Sequence, residues 1–174
     1  MKKLVFSTLL ALLLASCSKM DDQPANAVGY RPIYVAKDLA FKITTEPAKS
    51  FAHPGKMFLY QNYIYITDYG TGVHIIDNSD PAHPQKLAFV GIPGVRDAAV
   101  KNGILLADNF TDLVAIDITD LSNVHITKRV AEIYPVENQM FPEFATGYFE
   151  CVDTAKGYVA GWEKVNLSNP KCYR

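Results

Sequence analysis

The chain has 174 residues, 49% hydrophobic and 20% charged, with 17 basic against 18 acidic side chains and a formal net charge of -1. That profile describes one globular unit with room for an appendage, and it excludes a disordered, collagen-like or cysteine-dense chain. No Lys/Arg run follows residue 3, so no positive field is available to hold a phosphate backbone, and nucleic acid is excluded as a partner.

At the N-terminus, Lys2 and Lys3 precede an apolar run from Leu4 to Leu14 and then Leu14-Ala15-Ser16-Cys17. A basic start, a short apolar stretch and small residues make a secretory signal, and the run is too short to span a bilayer, which takes about 20 apolar residues. The tetrad resembles the lipobox of bacterial lipoproteins. The resemblance implies cleavage before Cys17, acylation of Cys17 with palmitate-type chains, and an anchor rather than a nucleophile. Ser18 in place of Asp resembles the class sorted to the outer membrane, and Lys19, Asp21 and Asp22 resemble a short export signal to the cell surface. The expected organisation is a signal peptide over 1–16, a lipidated Cys and flexible tether over 17–29, and a β-repeat domain over 30–174.

Beyond the tether the chain repeats itself. A shift of 40 residues aligns Ile64–Asp80 with Ile104–Asp120 at six identities in 17 positions: Ile64/Ile104, Asp68/Asp108, Thr71/Thr111, Ile76/Ile116, Asp77/Asp117 and Asp80/Asp120. Tyr63–Thr67 is aromatic, β-branched and alternating, Asp68–Gly72 reads as a turn, and Val73–Ile76 reads as a second strand. Lys86–Val90 predicts a third strand and Asp97–Val100 a fourth, before the tight Asn102-Gly103 turn leads into Ile104–Ala107. Four short antiparallel strands per ~40 residues is the period of a propeller blade.

A divergent third copy is expected at the end: Glu150–Asp153, a Lys156-Gly157 turn, the strand Tyr158–Trp162, and a turn over Asn166–Pro170. Between the second and third copies, the Pro- and aromatic-containing segment Tyr134–Gly147 reads as an insertion loop. No stretch has sustained helical periodicity, so the fold class is all-β.

Val73-His74-Ile75-Ile76-Asp77-Asn78-Ser79-Asp80-Pro81-Ala82-His83-Pro84 resembles the LVIVD repeat of bacterial surface and secreted proteins: an apolar run, an Asp, a polar turn and Pro-x-x-Pro. The second copy, from Leu113 to Leu121, keeps the apolar run and both Asp positions but lacks both Pro. The resemblance implies a β-propeller architecture and an envelope location, with no common activity. About three repeats are fewer than the 4 to 8 blades that close a ring, so an open or partial propeller, an assembly closing between chains, or a truncated relative is expected.

The acids at the repeat turns could suggest calcium, but Asp77-Asn78-Ser79-Asp80 lacks the alternating Asp ligands, the Gly and the distal Glu of a calcium loop. Asp at turns ordinarily folds back onto backbone N–H groups. His53, His74, His83 and His125 have no metal-ligand spacing, and no nucleophile or phosphate-loop motif is present, so neither a catalytic residue, a metal nor a cofactor is assigned. Cys151 and Cys172 are either a disulfide or two separately buried thiols. Tyr69, Phe110, Tyr134, Phe141, Phe144 and Trp162 are the candidate binding-loop aromatics, against the simpler reading that they cap the core.

These features describe a non-enzymatic envelope lipoprotein presenting loops to a protein or glycan, with a structural subunit completed by partner strands, or a homo-oligomer, as alternatives. A hydrolase would need Asp68 and Asp108 to converge on one pocket. If the repeated acids are turn residues, EDTA leaves the Tm of the soluble domain unchanged; a fall of several degrees would establish a structural metal.

Overall fold

The computed structural model describes residues 23–174, the side chains of 137 and 138 excepted. The signal segment, Cys17 and the first part of the tether lie outside the described residues. In chain order the strands are β1 (Asn26–Val35), β2 (Thr44–Pro47), β3 (Pro54–Tyr60), β4 (Tyr63–Asp68), β5 (Gly72–Asp77), β6 (Gln85–Gly91), β7 (Ala98–Lys101), β8 (Ile104–Asn109), β9 (Asp112–Asp117), β10 (His125–Val130), β11 (Tyr148–Phe149), β12 (Tyr158–Ser168) and β13 (Cys172–Tyr173). A 3-10 turn, Val136–Gln139, sits in the insertion. The fold is all-β and does not close into a barrel; its separate sheets form an open, propeller-like array. No helix among the described residues is long and apolar enough to cross a membrane.

The first repeat builds a sheet of order β2-β6-β5-β4-β3, and the second builds β10-β9-β8-β7. The boundary between them falls one strand earlier than the sequence suggests. The strand at Ala98–Lys101 pairs with β8 and opens the second sheet rather than ending the first. Its counterpart in the first repeat is β3, paired with β4 across a two-residue turn in which Gln61 takes a left-handed φ of 55°, as Asn102 does at 51° in the β7–β8 turn.

The core lies between these two sheets. Tyr65 opposes Ile75 in the first, Leu105 opposes Ile116 and Ala107 opposes Val114 in the second, and all six side chains are buried. Equivalent core positions are 40 residues apart on the first strand of each hairpin, Tyr65 and Leu105, but 41 apart on the second, Ile75 and Ile116. The cause is the connecting turn: three residues separate Asp68 from its partner Gly72, and four separate the equivalent Asp108 from its partner Leu113. Because side chains alternate across a sheet, the slip exchanges faces. The sequence identity Ile76/Ile116 therefore does not join equivalent core positions.

The expected third copy is not a blade of the same kind. Its sheet has the order β12-β1-β11-β13, so the N-terminal strand lies inside it. β1 runs antiparallel to β12 from Asn26↔Ser168 to Val35↔Tyr158, with a bulge that leaves Ala160 unpaired, and parallel to β11. Asn166–Ser168 is consequently strand rather than turn, since pairing with β1 overrides its turn-forming composition, and Glu150–Asp153 is irregular. β1 also begins at Asn26, inside the segment read as tether.

Aromatic packing joins this sheet to the others. Phe110 lies 6.2 Å from Phe41 and 5.1 Å from Tyr158, centroid to centroid. The Gly70 turn (φ 75°) packs so closely that a Cβ there would stand 2.2 Å from the Ala160 carbonyl oxygen, which only glycine permits.

Cys151 and Cys172 are disulfide-bonded, with Cα atoms 5.3 Å apart across 21 residues. The bond holds the C-terminus where Arg174 exchanges two backbone hydrogen bonds with Gly147 and donates from its guanidinium to the Pro142 and Glu143 carbonyls. Replacing both cysteines by alanine is expected to lower the unfolding free energy by about 3 kcal/mol on loop-closure grounds. Denaturant titration of the soluble domain measures this, and a change near zero would mean that the Arg174 contacts alone hold the terminus.

Candidate functional site

The two most buried repeat acids clamp the chain as it enters each sheet. Asp68 Oδ2 accepts the Ala52 N–H at 2.8 Å, and Oδ1 accepts the His53 N–H at 2.5 Å. Asp108 takes the N–H groups of Arg96 and Asp97 at 2.9 and 2.8 Å on Oδ1. Each carboxylate therefore receives two consecutive backbone donors. Burial pushes the Asp68 carboxyl up, but the Ala52 donor, the His74 ring and the His53 donor outweigh it and hold the group below its ordinary range. At Asp108 burial prevails over the Asp97 and Arg96 donors, and the carboxyl is raised.

The outer acids close their own turns. Asp77 accepts the Ser79 N–H, Asp80 that of Ala82, Asp117 that of Thr119 and Asp120 that of Ser122. Among the described residues no group of three or more His, Cys, Asp or Glu is placed to hold a metal ion.

His74 gives no local sign of its environment in the sequence. It is buried, its Nε2 is 3.0 Å from Asp68 Oδ2, and its ring lies between Phe51 and Phe89 at 4.5 and 4.7 Å. This acid–imidazole pair is enclosed by aromatic rings, and its carboxylate is occupied by backbone donors. Asp68 is also not among the residues lining the cavity that contains Asp108, so the two repeat acids do not converge.

The cavity that gathers sequence-predicted aromatics lies between the β1–β12 sheet, the β4–β5 turn of the first repeat and the insertion. It has a volume of about 500 Å³, within the range of ligand sites. β1 contributes Tyr30 and Ile33, the β4–β5 turn contributes Tyr69, Gly70 and Thr71, and the insertion contributes Pro142–Ala145 with Phe144 at its rim. β12 contributes Ala160, Gly161 and Trp162, while Arg96 and Glu143 form an ion pair in the wall. Phe144 is 91% exposed, a large apolar side chain left in water. The Trp162 Nε1 is the opposite, buried with no hydrogen-bond partner among the described residues.

Tyr69, Phe144 and Trp162 are thus brought together, and the other three candidates are not. Phe110 is only 7% exposed and belongs to the aromatic core, because its turn, which takes φ 57°, packs against Phe41 and Tyr158. Tyr134 lines a smaller cavity of about 260 Å³ with Phe110, Arg96, Asp108 and Glu143. Phe141 lies beneath the Arg174 guanidinium, 3.9 Å from its ring centroid. Sequence reasoning missed Tyr30, Ile33, Arg96, Glu143 and Gly161, none of which stands in a motif; only the closure of β1 onto β12 and the path of the insertion assemble them.

Asp68 uses both oxygens on three donors, so Asp68→Asn turns an amide NH2 toward a donor and is expected to cost about 2–4 kcal/mol. Asp108→Asn keeps the Oδ1 acceptor and removes a charge that burial disfavours, so it should cost less than half as much. The two also differ in sign with pH. The contribution of Asp68, lowered in the fold, is present above its ordinary 3.8 and lost as pH falls through its folded value. That of Asp108, raised in the fold, is full below 3.8 and declines as pH rises through its folded value. Urea titrations from neutral to acidic pH test both, and equal costs would overturn the distinction.

Residues 56–89, which run from within β3 into β6, match the LVIVD repeat family. No curated protein and no solved structure matches the chain. The first propeller-like sheet of this protein is therefore built on an LVIVD repeat.

Proposed function

We propose that this protein is a non-catalytic binding module of the bacterial cell envelope, anchored in the outer membrane through acylated Cys17 and holding a protein or glycan in the cleft between its sheets. The observation that carries this reading is the cleft, where Tyr30, Tyr69, Phe144 and Trp162 surround one apolar space bordered by the Arg96–Glu143 pair. Aromatic side chains with an apolar body and a polar tip supply contact area at low entropic cost, and such residues dominate binding hot spots. A large apolar side chain as exposed as Phe144 is a contact waiting for a partner. The buried acids instead serve the backbone, which supports a binding role over a hydrolytic one.

The tether favours attachment close to the membrane. Eight residues, 18–25, separate Cys17 from the start of β1 at Asn26, and a chain extends at most about 3.3–3.6 Å per residue, so the body stands within roughly 30 Å of its anchor. A second reading, a structural subunit completed by a partner strand, is favoured by β3. Its outer edge pairs with no strand among the described residues, and Met57 and Leu59 on it are 68% and 63% exposed.

Cells fed an alkyne-palmitate analogue are expected to label the protein, and Cys17→Ser should abolish the label and release the protein from the membrane fraction. Labelling that survives this change would refute the anchor. A photo-crosslinking residue at position 144 should capture a partner in cells, whereas one at Met57 should not. Capture only at Met57 would favour the structural-subunit reading.

A further inference from the structure

We infer that copies of this protein close into a ring, the outer face of the first repeat sheet in one copy seated on the outer face of the second repeat sheet in the next. The contact is independent of what the cleft binds, and its pattern is set by how the two sheets already meet within the chain. β5 turns Val73 and Ile75 into the shared core, and β9 turns Val114 and Ile116 into it from the other side. Under the 40-residue correspondence, Val114 and Ile116 match His74 and Ile76, which alternate onto the outer face of β5. The second sheet thus packs on its predecessor through the strand face that the first sheet turns away from its neighbour. The converse holds too, since Ala115, on the outer face of β9, matches Ile75 in the core. Each outer face therefore carries the pattern of a face that packs on another repeat sheet.

Neither face has the polar cap that ends a stacked array of repeats. On the first sheet Met57 pairs with Ile66, Leu59 with Ile64 and Ile64 with Ile76, so apolar side chains run across β3, β4 and β5. Phe51 lies over His74 at one end of this face, while Met57 and Leu59 are left in water. On the second sheet Leu106 is 39% exposed between two alanines, Ala99 on β7 and Ala115 on β9. One face projects long side chains and the other offers a leucine flanked by hollows, the relief that lets packed sheets interdigitate. Lys101 and Lys128 stand at the margin of the second face, where an interface rim stays wet. The third sheet meets the β4–β5 and β8–β9 turns, through Gly70 on Ala160 and Phe110 on Tyr158, at the strand ends rather than over these faces.

The occupant is a second copy because the sheet that each outer face matches is the chain's own other repeat. Two different surfaces in contact make a heterologous interface, which generates a ring when the rotation between neighbours closes. Each chain brings two repeat sheets, and propellers close with 4 to 8 blades, so about two to four copies complete the ring.

The test reads mass by light scattering on the size-separated domain, residues 18–174, and on two variants at exposed positions. A discrete oligomer of about two to four copies is expected. Leu59→Lys and Leu106→Lys should each give a monomer with the β circular dichroism of the parent. Mixing the two should return a dimer and nothing larger, because one unaltered contact remains between them. A monomeric parent domain would overturn the ring, and so would an open-ended polymer or a mixture that stays monomeric. Oligomers broken by Leu59→Lys but not by Leu106→Lys would mean symmetric pairing of two β3 edges and overturn it as well. In cells, a photo-crosslinking residue at position 59 of the full chain keeps the proposal falsifiable should either variant fail to fold. It is expected to join β8 or β9 of a second copy, a homotypic product that its peptide masses separate from the different protein sought from position 144. A product on β3 of the second copy, or none on another copy, would overturn the ring.

Discussion

The architecture depends on the pairing of β1 with β12, which brings the first and last long strands into one sheet. Ten registered positions, from Asn26↔Ser168 to Val35↔Tyr158, link segments more than 120 residues apart. Such a ladder carries a large loop-closure cost before any of its hydrogen bonds form. What offsets the cost is the contact this sheet makes with the repeats: Phe41, Phe110 and Tyr158 interlock, and the Gly70 turn closes on Ala160. Without the pairing, the two repeat sheets would keep their shared core but lose the third wall of the cleft.

The two repeats are alike in their clamps and unlike in their contents. Asp68 and Asp108 each receive two consecutive backbone N–H groups from the segment that enters their sheet. Only the first repeat adds an imidazole, His74, because the equivalent position 115 in the second is Ala. The clamps matter for the cleft as well. The backbone that Asp68 fixes, Ala52 and His53, forms part of its lining, and so does Arg96, whose N–H is held by Asp108. A shared structural device in both repeats thus positions one side of a single site.

The C-terminus positions the other side. Arg174 stacks on Phe141, bonds the carbonyls of Pro142 and Glu143 and pairs with Gly147. The Cys151–Cys172 bond holds that arginine within reach. The insertion, which has little regular structure of its own, is thereby fixed at the point where Phe144 meets the cleft.

Much of this was legible from local pattern. Alternating β-branched and aromatic residues define β4, β5, β8 and β9, and the acids at the repeat turns have the chemistry of backbone acceptors, because strand alternation and Asx turns depend on neighbours within a few residues. The register did not follow, since one residue more between Asp108 and its cross-strand partner than between Asp68 and its own shifts Ile116 to the core face held by Ile75, and a 40-residue alignment cannot see that exchange. Phe110 looked like an exposed loop aromatic and is core, because what covers it comes from Phe41 and Tyr158, far away in sequence. By itself the sequence determined the fold class, the repeat and the turn chemistry. The tertiary structure alone decided that the first and last long strands pair and which aromatics share a cleft, because each depends on contacts between distant segments that no local periodicity encodes.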